Sequence, residues 1–464
     1  MRILIHGINY SPELTGIGKY SGEMAEWLAA SGHEVRVVTA PHYYPQWHIA
    51  KGHSNRWHKQ QPDNAAGLTV YRCPLWVPSK PSGLKRILHL ASFAASSLPI
   101  MLLQIFWRPD VVMVIEPPLF CAPQAWLVAR LSGGKAWLHI QDFEVDAAFE
   151  LGLLKGKFLR RLVAAGEHLL LTHFDRVSTI SQRMLKRALS KGVATDNVVL
   201  FPNWVDLFGF DARLTDGMVN KTANTYRSEL GIADDAIIAL YSGNMGGKQG
   251  LEILAETARL QLINDTDSAK TASNTTVKKP KVEFVFCGDG AGRLDLMALC
   301  EGLTNVRFVD LQPLARLGEF LSMADLHLLP QRADAADLVM PSKLTGMLAS
   351  ARPVIATAHI GTELADVVAR CGLVVIPENA QALVNAINQL AEDAQLRELL
   401  GTAGRVYAEA NLNKDAVLAK LEVNLANTVL GNRFKDAVIA NLEDNLVNTV
   451  LGDRFKTADT RTEF

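Results

Sequence analysis

The sequence predicts an α/β protein of two tandem halves, each an open parallel sheet covered by helices. Short apolar runs that read as buried strands alternate with longer stretches of helical period along the chain. Glycine and proline gather where one pattern gives way to the other, so the loops fall at strand ends. After a turn at Pro202, Asn203, Trp204, Val205 and Asp206 the alternation begins afresh, which sets a domain boundary there. A chain of 464 residues suits two or three domains with their own cores, and 48% hydrophobic with 20% charged residues is an ordinary globular composition.

The first half opens with a strand from Arg2 to His6. No signal-peptide layout precedes it, which predicts a cytoplasmic protein. A loop from Gly7 to Gly18 follows, then a helix from about Lys19 to Ala30 and a strand from Glu34 to Thr39. Gly16 and Gly18 would let a ligand come close to the backbone where that helix starts. The loop is not the dinucleotide fingerprint: the third glycine is misplaced, and the second strand ends in Thr39, Ala40 and Pro41 instead of a ribose-binding acid. An NAD enzyme is therefore not expected.

Between His42 and His58 the chain is rich in His, Tyr and Trp and has neither period. Flat rings there suit stacking on sugars or plain loop packing, and no two histidines have a recognised metal-ligand spacing. Leu84 to Trp107 is the most apolar long stretch, with Lys85 and Arg86 at one end and Arg108 at the other. It has the length of a membrane span, yet serines, Pro99, His89 and Gln104 interrupt it. A core helix, or one lying on an anionic lipid surface, fits better than a crossing one. Strands follow at Val111 to Ile115 and Ala136 to Asp142. The latter ends in polar groups, with His139 and Gln141 on one face and Asp142 on the other. Polar residues at the carboxyl end of such a strand line the crevice where open α/β sheets bind ligands.

In the second half, Ala236 to Ser242 is a buried strand followed by the loop Gly243, Asn244, Met245, Gly246, Gly247, Lys248, Gln249 and Gly250. A glycine-rich loop with one lysine after a strand reads as phosphate binding, although the P-loop ending is absent. Residues 264–281 are polar and read as a flexible insertion, and their Asp265, Thr266 and Asp267 read as solvated surface. Strands at Val282 to Cys287 and Val306 to Val309 lead to the stretch from Leu328 to Glu363, around which the half is organised. It passes from a strand through a loop carrying Asp334 and Asp337 into a helix starting near Ser342. A helix start leaves N–H groups unpaired, and Lys343 adds a full charge, so the place suits a diphosphate. An ordinary βαβ unit with a surface lysine is the alternative. Pro353 to Ala356 is the next strand, and its loop leads to a helix at Glu363.

Net charge of −1 and the lack of any recognition motif give no reason to expect nucleic acid. The five cysteines are scattered without a CxxC pair, which favours a reducing compartment and argues against zinc or a disulfide framework. The tail holds a tandem repeat: residues 415–435, DAVLAKLEVNLANTVLGNRFK, are followed directly by 436–456, DAVIANLEDNLVNTVLGDRFK. This reads as a duplicated amphipathic helix of which one copy packs on the body.

The order of PNWVD at the junction, KQG after the first strand of the second half, and PSKL followed by RPVIA resembles glycosyltransferase family 4. The resemblance runs from residue 1 to about 425. It implies the glycosyltransferase-B architecture, two Rossmann-like parallel-sheet domains facing a cleft: residues 1–201 on the acceptor side, 202–410 holding the donor, and C-terminal helices over 411–464. By the same resemblance Gly16 and Gly18 face the donor phosphates and Lys248 pairs with the diphosphate, beside Gly243 and Asn244. Ser342 and Lys343 hold the phosphate at the helix start, and Glu363 lies near the sugar. The chain departs from the family in several places. Asn244 stands where an Arg is common, and the usual pair of glutamates is missing, its positions falling on Leu338 and Gly346, with Asp337 as a surrogate acid. Gln141 precedes Asp142 where a His is common, leaving Asp142 and then His139 as acceptor-side candidates.

The expected protein is a retaining transferase moving a sugar, fucose from GDP-fucose by resemblance, from a nucleotide sugar to a polyprenyl-diphosphate-linked glycan in exopolysaccharide assembly. It would rest peripherally on the inner face of the membrane and need no protein-bound metal or other cofactor. The competing readings are a catalytically inactive nucleotide-sugar-binding partner subunit and a nucleotide-sugar epimerase of the same fold.

Overall fold

The computed structural model describes residues 1–13, 16–62, 65–79, 83–150, 156–211, 225–246, 249–271, 279–333 and 340–431. The chain forms two compact units, Asn203–Lys414 and the remainder, Met1–Pro202 with the chain from Asp415 onward.

The first unit is built on eight strands: β1 (Arg2–His6), β2 (Glu34–Thr39), β3 (His58–Gln60), β4 (Leu68–Arg72), β5 (Val111–Glu116), β6 (Lys135–Ile140), β7 (Arg176–Thr179) and β8 (Val198–Leu200). Their order is β3-β4-β2-β1-β5-β6-β7-β8, and every pairing is parallel except β3 with β4. Central strands such as β5 are buried at every residue, which is why they read as continuous apolar runs without alternation. The order reverses direction beside β1, between β1 and β5.

The helix after β1 spans Gly16–Ala30, three residues earlier than the sequence pattern set it, because Gly16 takes φ +63° and turns the chain directly into the first turn. The long apolar stretch is a helix, Gly83–Leu103, closed by a 3-10 turn, Gln104–Trp107. Among the described residues it is one helix long and apolar enough to cross a membrane, and a third of its most apolar window is buried. His89, Leu90, Phe93, Ser97 and Met101 face inward, whereas Leu84, Leu88, Leu103 and Phe106 are exposed. Of the aromatic loop before β3, Tyr43 is buried and packs edge-on against Trp47 and His89, so it serves packing.

The second unit has six strands, all parallel: β9 (Ile237–Ser242), β10 (Val282–Cys287), β11 (Val306–Val309), β12 (Leu326–Leu329), β13 (Val354–Thr357) and β14 (Gly372–Val375). The order β11-β10-β9-β12-β13-β14 is the doubly wound arrangement, with its switch point between β9 and β12. Alternate residues of β9 enter different cores. Ile238 and Leu240 pack with Phe320, Leu344 and Leu348, while Ala239 and Tyr241 pack with Leu254, Phe284 and Ile387. The tract expected to be a flexible insertion begins as helix: Glu252–Thr271 is continuous, because Leu254, Ala255 and Ala258 anchor its first turns in the core and carry the polar continuation. Residues 272–278 lie outside the described residues.

Helix Ala394–Asn411 closes the second unit, and helix Lys414–Leu430, which opens the segment set apart in the sequence, belongs with the first. His33 Nε2 meets Glu422 Oε1 at 2.8 Å, tying that last helix to the first unit. At the junction Val205 N–H donates to the Leu412 carbonyl (2.8 Å) and Lys414 N–H to the Val205 carbonyl (3.1 Å), so the two chain crossings leave the second unit side by side.

Candidate active site

The second unit gathers its special residues at the carboxyl ends of β9, β10 and β12, on both sides of the switch point. Gly243 follows β9 at φ +146°, and Gly288 follows β10 at φ +151°, where side chains are strained. A Cβ on Gly288 would run into the Gly243 carbonyl, and one on Gly243 would press on the Lys343 side chain at 3.2 Å. The two glycines therefore let adjacent loops abut and leave a channel for a lysine. Lys343 opens the helix Lys343–Ala349 after β12 and runs through that channel. Its ammonium stands 3.1 Å from the Tyr241 hydroxyl and 4.4 Å from the ring centroid. The Tyr241 hydroxyl in turn donates to the Asn244 carbonyl at 2.7 Å, which fixes the ring under the lysine.

No described carboxylate forms an ion pair with Lys343. Burial lowers its amine to about 7. A cation that has no counter-ion among the described residues, at a helix start, is a position that an anion completes. Ser342 stands at the N-cap without a side-chain cap bond, so its hydroxyl is not committed to the helix it precedes. One strand further on, Glu363 opens the helix Glu363–Val368 after β13, with Thr362 as the cap accepting from Ala365 N–H at 3.2 Å. Asn244 is exposed beside Gly243. Lys248 and Asp337 lie outside the described residues.

In the first unit the ends of β1, β5 and β6 carry buried acids. Gly18 makes room for Glu13: a Cβ there would overlap the Glu13 carboxyl, which accepts from Asn9 Nδ2 at 3.0 and 3.2 Å. Gly16 meets nothing at its Cβ and serves the turn. Burial pushes Glu13 up to about 8, so at neutral pH it is mostly protonated. Glu116 at the end of β5 and Glu144 just past β6 are also raised, first by burial, with mutual repulsion adding to Glu116. Glu116 Oε1 accepts from Glu144 N–H at 3.2 Å, and Glu144 Oε2 from Leu119 N–H at 2.8 Å. Asp142 lies between them in sequence and is half-buried.

His139 is buried on β6, with Nδ1 at 2.9 Å from the Ser178 hydroxyl and Nε2 at 2.9 Å from Gln141 Nε2. Burial lowers it to about 3, so it is a neutral ring held in the sheet. Sequence reasoning passed over Glu13, Tyr241 and the Glu116–Glu144 pair. Tyr241 occupies a core position of a buried strand and carried no signal. Glu116 carried one, being an acid that ends an apolar strand. Among the described residues no group of three His, Cys, Asp or Glu side chains is placed to hold a metal ion.

Two doubly wound units, the second with Lys343 at its switch point, define a two-domain transferase class, and the chain belongs to the glycosyltransferases. Residues 15–204 match the model of the glycosyl transferase 4-like domain, and residues 236–393 that of the glycosyl transferases group 1. The chain is 44% identical over 429 residues, 90% of its length and 98% of the relative's, to a protein of Escherichia coli (strain K12) assigned to colanic acid biosynthesis as the glycosyl transferase WcaI. The alpha-D-kanosaminyltransferase of Streptomyces kanamyceticus is 26% identical over 36% of this chain and 39% of its own. Among solved structures, sucrose-phosphate synthase from Thermosynechococcus elongatus superimposes with a TM-score of 0.66 at 18% identity, covering 91% of this chain and 97% of that one. WaaG, a glycosyltransferase of lipopolysaccharide biosynthesis, gives 0.60 at 17% identity, covering 93% and 100%. The fold is the glycosyltransferase-B architecture.

Proposed function

We propose that this glycosyltransferase moves a sugar, fucose from GDP-fucose, onto a polyprenyl-diphosphate-linked glycan during assembly of an exopolysaccharide of the colanic acid type, with retention of configuration. The observation that carries donor binding is Lys343, a lysine without a carboxylate partner among the described residues, held on Tyr241 at the switch point of the second unit. In the reaction the bond from the sugar's anomeric carbon to the diphosphate oxygen breaks, and an acceptor hydroxyl forms the new bond on the same face and passes its proton to the departing diphosphate oxygen. Charge grows on the departing diphosphate, and a preorganised lysine with helix N–H groups stabilises it without a protein-bound metal. Ser342 adds a hydroxyl at the same place. Lys248 and Glu363 complete the donor side in this reading, with Asp337 as the surrogate acid. Asp142, beside the Glu116–Glu144 pair, faces the acceptor. The relative's assignment to colanic acid supports the pathway, and the exposed apolar helix Gly83–Leu103 with its basic flanks supports a lipid-linked acceptor met at the inner face of the membrane.

Binding of GDP, UDP, ADP and dTDP by calorimetry, with and without chelator, tests the donor. Selective GDP binding that survives chelation is the expected result. Binding of no nucleotide would favour an inactive partner subunit, a reading to which Gly346 in place of an acid lends support.

A further inference from the structure

The helix Lys414–Leu430 holds the first copy of the repeated segment, and its inward face is known. Val417, Leu418, Leu421, Leu425, Ala426 and Thr428 are buried against the first unit, and Glu422 pairs with His33. In the second copy the corresponding residues are Val438, Ile439, Leu442, Leu446, Val447 and Thr449, with Glu443 in place of Glu422. Each buried position keeps its apolar or hydroxyl character, and the acid that meets His33 is kept. The copies differ otherwise at Lys420, exposed and replaced by Asn441, at Asn432, replaced by Asp453, and at half-buried Val423, replaced by Asp444. A duplicated segment that retained only its composition would not need to keep the docking face residue by residue.

We propose that residues 436–452 are a second occupant of the surface on which 415–431 docks, taking it within the same chain whenever the first copy leaves. A tether of some 21 residues keeps the second copy at an effective concentration on the order of millimolar, so exchange needs no partner molecule. The first copy is preferred, because Asp444 places a carboxylate where Val423 is half-buried and Val447 adds bulk where Ala426 is buried. Exchange leaves the docked surface unchanged and lengthens the link between Lys414, which is bonded to Val205, and the docked helix by one repeat. The tail is thus a register switch that sets the length of the chain between Lys414 and the docked helix, while the other crossing, at Pro202 and Asn203, is unchanged.

The test uses the full chain with Leu421→Asp, Leu442→Asp and both together. Leu442→Asp alone should leave the melting temperature unchanged, and Leu421→Asp alone should lower it slightly. The double variant should fall about 5 °C or more below either single one, a loss beyond additivity. A Leu421→Asp loss equal to that of the double variant, including outright failure to fold, overturns the proposal. A second readout follows contact directly: with His33→Cys and Glu443→Cys, oxidation should join the two cysteines in the Leu421→Asp chain and not when Leu442→Asp is added. Joining between two chains, or a mass that doubles with concentration, would place the second copy on another molecule and reject exchange within the chain.

Discussion

Lys343 and Glu13 are both held away from their ordinary ionisation, and each makes a pH-dependent prediction of its own. Burial lowers the Lys343 amine to about 7. If the donor diphosphate lies beside it, binding restores the charged form and draws a proton from solution. Uptake should be near zero at pH 6 and approach about one proton per site near pH 9, with affinity falling about tenfold per pH unit above 7. Calorimetry in two buffers of different ionisation enthalpy measures this. Lys343→Met should abolish the uptake and weaken binding roughly 100-fold, the size of a charge-assisted contact. Binding with no linked proton in the parent would remove Lys343 from the phosphate site. Glu13 works in the opposite sense. Its folded value, about 8, lies above the 4.5 of an unfolded carboxyl, because burial outweighs Asn9 and Arg72. Between those values the native state holds a proton that the unfolded chain has released, so stability from this group falls as pH rises across that window. Glu13→Gln should match the parent's melting temperature at pH 4 and exceed it at pH 8.5. A variant whose melting curve keeps the parent's pH dependence would show that the loop solvates the carboxylate.

Elements divide by how much of their cause is local. The strands were legible because parallel strands covered on both faces are apolar at every position, and the loops after β9 and β12 because glycine and proline mark them. Lys343 was legible for the same reason: it follows a proline at a helix start. Tyr241 was not, since an aromatic residue in a buried strand reads as core, and only the fold brings Lys343 over it from 102 residues away. His139 was only half legible for a related reason. Its strand position was right, but Ser178 on the neighbouring strand takes it into the sheet. The polar tract after residue 264 misled because its composition is that of a loop, while the helix carrying it is nucleated by apolar residues upstream. The helix Gly83–Leu103 was read as apolar with two possible environments, and its inward and outward faces now separate them. Leu84, Leu88, Leu103 and Phe106 contribute nothing to the core, being from 51% to 86% exposed. Replacing Leu84, Leu88 and Phe106 by serine should leave the melting temperature within about 2 °C of the parent, since exposed positions carry little packing energy. Sedimentation with anionic vesicles should fall about tenfold or more, at roughly 0.8 kcal/mol per buried methylene lost. Equal sedimentation of parent and variant would leave this face without a lipid role.

At the scale of the whole molecule the two units differ in how the chain makes them. The second is one continuous run, Asn203–Lys414, with a complete six-stranded sheet and an apolar core on each face. The first is discontinuous: after 202 residues the chain leaves it and returns only at Asp415, with a helix whose Leu418, Leu421 and Leu425 are almost fully buried. A protein cut to 203–414 should therefore fold alone, because no core strand or helix of that unit is missing. It should keep the nucleoside-diphosphate selectivity of the full chain, with proton uptake through Lys343, since Gly243, Tyr241, Ser342 and Lys343 all lie inside it. Residues 1–202 alone should fold poorly, with several large leucine contacts absent, each costing on the order of 2–5 kcal/mol. Restoring the helix should rescue them, either as a fusion of 415–431 to residue 202 through a flexible linker or, more weakly, as a fusion of 436–452. Circular dichroism melts of the four proteins decide the matter. A folded 1–202 fragment as stable as its fusions would mean that the last helix merely rests on the first unit. A 203–414 fragment that folds yet binds no nucleotide would place the decisive phosphate contacts in residues outside it.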